Sequence, residues 1–97
     1  MKRAEILEAA RVCVCGERAQ DYGTPENSFA LIAKLWEAYM GTPFTSKDVA
    51  MMMALLKVAR IKGGDKADSF VDLAGYAACA GEIAALPSMP VNGRAAP

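Results

Sequence analysis

Four charged residues stand inside the two most apolar stretches of the chain: Lys57, Arg60, Asp68 and Asp72. Lys57 and Arg60 lie one helical turn apart, and Asp68 and Asp72 are spaced i and i+4. Paired carboxylates can hold a divalent cation through oxygen ligands, and magnesium is the cofactor such a pair would take. A neighbouring lysine and arginine can hold a phosphate, the arginine through two parallel N–H bonds. Two cations beside two acids therefore suit a nucleotide, with Asp68 and Asp72 taking metal or ribose hydroxyls. The competing reading is a salt-bridge network that fixes helix register and binds nothing.

The elements that carry these residues are helices. Gly63-Gly64 separates an apolar helix, about Ser46 to Lys62, from a second that starts near Lys66–Asp68 and ends near Leu86 before Pro87. Such a short turn predicts an antiparallel hairpin, in which residues equidistant from its centre face each other. Lys57 and Asp72 have numbers summing to 129, as do Arg60 and Ser69, so the cations stand opposite the acids. Tyr76 follows Asp72 by one turn and is a candidate for stacking on a base.

Two further helices precede the hairpin. Residues 2–19 are rich in good helix formers, with Ile6, Leu7, Ala10, Cys13 and Val14 forming an apolar stripe. Thr24-Pro25-Glu26 reads as a helix start and Gly41 with Pro43 as its end. Phe29, Ile32, Ala33, Trp36, Tyr39 and Met40 are its expected buried face. Thr45 and Asp48 form a cap for the third helix, a hydroxyl followed by an acid three residues on. Gly75, Cys79 and Gly81 are small enough to admit a close helix neighbour in the fourth.

The loop between the first two helices is a second candidate site. Arg18 and Tyr22 could clamp a phosphate or stack on a base there, and the free N–H groups of the second helix favour an anion. An ordinary helix connection, with Tyr22 covering the core and Asp21 in a local turn, explains the same residues.

Val49 to Leu56 is apolar on every side, so the third helix needs covering all round. A small bundle covers such a helix with difficulty, which predicts a homo-oligomer, a two-fold dimer first. A central helix wrapped by the other three is the alternative. The expected architecture is all-α, a compact bundle of about four helices, with one domain over residues 1–86 and a flexible tail over 87–97.

Composition removes other functions. The 97 residues suffice for one core, and 54% hydrophobic content excludes a disordered chain. Eleven basic residues balance eleven acidic ones, and neither half hides a basic block, which argues against gripping duplex DNA or an anionic membrane. Histidine is absent, so no imidazole base or ligand is available. Ser28 and Ser69 lack a base that would make either a nucleophile. Cys13, Cys15 and Cys79 are odd in number and wrongly spaced for a disulfide framework or CxxC site. They read as small apolar residues of a reducing cytoplasm. No apolar run is long enough to span a bilayer.

Three stretches together resemble a family of small, largely uncharacterised phage and prophage proteins: Glu17 to Phe29 (ERAQDYGTPENSF), Asp48 to Arg60 (DVAMMMALLKVAR) and Asp68 to Ala78 (DSFVDLAGYAA). That resemblance covers residues 3–85 and implies a phage origin. More distantly, the Asp68–Asp72 helix after an apolar helix looks like the all-α, MazG-like nucleoside triphosphate pyrophosphohydrolases. The likeness implies a second acidic pair at Asp68 and Asp72. The first pair of that family, an ExxE on the preceding helix, has no match, because Lys57 and Arg60 stand there with Asp48 as the helix's sole acid. The departure favours a nucleotide or nucleotide-signal binder on a similar frame over a metal-dependent hydrolase. The alternative function is a non-enzymatic anti-defence protein, such as an anti-CRISPR, that binds a host immune protein through an exposed patch.

Overall fold

A computed structural model describes residues 1–16 and 25–86 of the chain. These residues form four helices: α1 (Arg3–Cys15), α2 (Pro25–Met40), α3 (Ser46–Gly63) and α4 (Ala67–Ala85), with no strand among them. The all-α expectation holds. Arg18, Tyr22, the Thr24 cap and the 87–97 tail fall outside the described residues.

Helix ends follow local chemistry. The Thr45 hydroxyl accepts a hydrogen bond from the Asp48 N–H at 3.0 Å, and the Asp48 carboxylate accepts one from the Thr45 N–H at 2.9 Å. This reciprocal pair satisfies two donors at the start of α3. Thr45→Ala should cost about 1 kcal/mol of stability, read as a lower urea midpoint with an unchanged slope. Gly41 closes α2 at φ 72°, where a side chain would be strained, and its N–H donates to the Glu37 carbonyl at 2.7 Å. The first helix, expected over residues 2–19, is described from Arg3 to Cys15, and residues 17–19 fall outside the described residues. Its regular bonding ends where Gly16 turns extended, its N–H bonded to the Val12 carbonyl at 2.9 Å.

The α3–α4 hairpin is the most extensive helix contact. On it, α1 packs against α4 and α2 lies across α3, touching α4. The Ser46 hydroxyl lies 3.4 Å from the Glu26 carbonyl oxygen, so the start of α3 sits beside the start of α2. Residues 41–45 therefore run back along α2, and Phe44 meets Trp36 edge to face at 5.9 Å.

The core is built from small side chains. Ala10, Ala33, Val49, Ala50, Ala54, Val71, Cys79 and Ala80 are buried, and Val49 is the largest that is fully so. Gly75 is buried as well, and a Cβ built on it would lie 3.2 Å from a Val14 methyl. This is the close approach between α1 and α4 expected of the small residues. Gly81 takes no part in it: it is exposed and faces open space.

Several large residues expected inside are outside. Tyr39 is 88% exposed, Leu7 64% and Met40 62%. Their helices are held by alanine-sized contacts, Ala10 and Ala33, which draw the backbones together and leave long side chains on the flanks. Cys15 is exposed and Cys13 half-buried, so of the three cysteines Cys79 alone is a buried apolar filler. Burial, with nearby Glu26 and Glu82, pushes the Cys79 thiol up and keeps it protonated.

Candidate functional site

The hairpin brings Lys57 and Asp72 together. The Lys57 ammonium lies 2.9 Å from an Asp72 carboxylate oxygen. This is the pair that the register argument sets face to face. The lysine side chain is 16% exposed and the aspartate 38%, so the pair lies at the mouth of the helix seam. The long stem of Lys57 is covered by the hairpin while its charged head meets the partner acid.

Arg60 and Asp68 are exposed. Among the described residues, the salt bridges are Lys57–Asp72 and a surface pair, Arg11–Glu8, at 2.7 Å. In the surface pair the guanidinium lowers the Glu8 pKa through a hydrogen bond and its charge. Arg60 and Asp68 belong to neither pair. Ser69, opposite Arg60 by register, is buried and cannot compete as a surface partner. Tyr76, one turn past Asp72, is half-buried and its ring lies 6.1 Å from that of Phe29 on α2, tilted by 40°. This aromatic pair is a feature that reading α3 and α4 alone misses; the missing signal is the crossing of α2 over the hairpin.

Among the described residues, the arrangement thus has one closed charge pair, one unengaged cation, one unengaged acid and, one turn along α4, an aromatic pair. Among the described residues, no three His, Cys, Asp or Glu side chains converge as a metal cage. Of the two acids expected to hold magnesium, Asp68 is exposed and Asp72 is held by Lys57.

A second feature lies on another face. Trp36, Tyr39, Met40, Phe44 and Met52 line an apolar groove of about 290 Å³ between α2, α3 and the 41–45 segment. No charged residue stands among them. No described helix is long and apolar enough to cross a membrane.

Fold and site define a small all-helical protein with charged groups seated at the mouth of a helical hairpin. Residues 5–84 match the family model of a domain of unknown function, DUF6378, and the chain belongs to that family. It is 46% identical over 79 residues to the Gene 55 protein of Mycobacterium phage D29, covering 80% of this chain and 52% of that protein. It is 50% identical over 74 residues to the Gene 55 protein of Mycobacterium phage L5, covering 74% of this chain and 47% of that protein. This is a phage protein family, and the chain spans about half the length of the curated relatives it matches. No solved structure matches it.

Proposed function

We propose that this chain is a phage-encoded protein that binds a nucleotide, or a nucleotide-derived signal, at the mouth of the α3–α4 hairpin. The observation that carries the reading is the Lys57–Asp72 pair flanked by Arg60 and Asp68, neither of them in an ion pair among the described residues. Both stand exposed one turn from the closed pair, where a ligand can reach them. Lys57 and Arg60 take phosphate oxygens, and Asp68 and Asp72 take ribose hydroxyls or the magnesium that travels with the phosphates. Tyr76 offers an aromatic face for the base, and Arg18 and Tyr22 are the further contacts that the loop before α2 would supply.

The acidic pair on α4 after an apolar helix supports a MazG-like helical frame. With Lys57 and Arg60 in place of a first acidic pair, binding is favoured over hydrolysis. The test is a thermal-shift screen with mono-, di- and triphosphate nucleotides and cyclic dinucleotides, with and without magnesium. A ligand at a hundred times its dissociation constant stabilises by about 2.7 kcal/mol. Lys57→Met and Arg60→Ala should each remove the shift. Lys57→Met should change the unliganded stability by less than about 1 kcal/mol, because a partly exposed pair contributes little. Absence of a shift with every nucleotide overturns the proposal. Stoichiometric binding to a purified host immune protein would then put the anti-defence reading in its place.

A further inference from the structure

We propose that the outer face of α2 and α3 is a homodimer interface, with a second copy of this chain as its occupant. Leu31, Leu35 and Tyr39 recur every four residues along α2 and are 61%, 61% and 88% exposed. Met52, Leu55 and Leu56 form the matching surface of α3 at 41%, 63% and 43%. The two stripes meet at the apolar groove, which Tyr39 and Met52 both line.

Area decides how this face is to be read. With about 200 Å² for a large side chain, these six expose roughly 700 Å². A typical monomer shows a largest apolar patch of about 300–600 Å². A standard interface takes about 800 Å² from each partner, which the six residues and the groove beside them together reach. The occupant follows from the core. Val49 is the largest fully buried side chain, so the lone chain withdraws little large apolar surface from water. That deficit exists whenever the chain is made, and a second copy is the partner present at that same moment. Eleven positive and eleven negative charges let two copies meet without net repulsion. A two-fold pairing of ridged helix faces also closes, leaving no patch to propagate.

The interface borders the charged site. On α3, Lys57 and Leu55 are roughly 200° apart at about 100° per residue, while Arg60 follows Leu56 by one turn and stands at the end of the stripe. Mass and nucleotide-induced shift are separate readouts, so the two proposals fail independently.

The test is light scattering and sedimentation on the full chain at micromolar concentration. The expected mass is twice the 10.3 kDa of one chain. The thermal midpoint should rise with protein concentration, as mass action requires. Leu35→Glu with Leu55→Glu should halve the mass while keeping the helical circular dichroism. Leu7→Glu, an equally exposed leucine on α1, should leave the dimer intact. If the double variant fails to fold, the mass and concentration dependence of the unaltered chain still decide. A wild-type mass of one chain overturns the proposal, and so does a double variant that remains dimeric.

Discussion

Val49→Asp should abolish the cooperative thermal transition of this protein at neutral pH. Val49 is fully buried, next to the equally buried Ala50, near the start of α3. A carboxylate there loses its water and gains no partner. Lys47, two residues before it on α3, is exposed and on another side of the helix, and Lys57, two turns on, is paired with Asp72 at 2.9 Å. A buried acid in that position protonates or drags solvent inward, and either route costs several kcal/mol. An expected loss of about 4–5 kcal/mol is comparable with the whole stability of a domain this size. The comparison is Val58→Asp on the same helix. Val58 is 49% exposed, and its replacement should move stability by about 1 kcal/mol or less. Circular dichroism melts of the two variants check the pair. A Val49→Asp protein that melts within a few degrees of the parent would show that this position is open to water.

That contrast also marks what was legible in the sequence. Helix ends were, because they depend on near neighbours. Thr45 and Asp48 cap α3 through bonds three residues apart, and Gly63-Gly64 stops it. The hairpin register was legible too, since a short turn leaves one way to fold back, and Lys57 meets Asp72 accordingly. The inward face of α3 was not. A helix apolar on all sides carries no moment to point with, and the choice fell to size: Val49, Ala50 and Ala54 went inside, while Met51 and Leu55 stayed out. Small residues let two backbones approach, and that approach places the larger residues on the flanks. Tyr39 is outside for the same reason, since α2 is anchored at Ala33. The direction of α2 was equally hidden. A five-residue connection normally joins antiparallel neighbours, yet residues 41–45 carry the chain back to Glu26, pinned by a contact between Phe44 and Trp36. Half of the candidate site was therefore readable, the half that lies on one hairpin. Tyr76 pairs with Phe29 only through the crossing.

Gly75→Leu should detach α1 from the hairpin at a cost of about 3 kcal/mol. Gly75 is buried where α4 meets α1, and a bare Cβ would already stand 3.2 Å from a Val14 methyl. Alanine can be accommodated by a shift of a few tenths of an ångström, and its better helix propensity of about 1 kcal/mol offsets the strain. Leucine adds three further carbons along the same line, which sliding Val14 aside cannot accommodate. Among the helices, α4 is the principal support of α1. The displaced helix then exposes Ala10, Val14 and Cys79 together. The expected readout is a lower urea midpoint, faster amide exchange over residues 6–14, and a Cys79 thiol newly open to alkylation in the native state. Val14→Ala should restore part of the loss in the Gly75→Leu background while destabilising the parent. That is a coupling of opposite sign, as expected of two residues that share one packing space. If Gly75→Leu is as stable as the parent, or if Val14→Ala worsens it by the amount it costs alone, then α1 is held on α4 by something other than this approach.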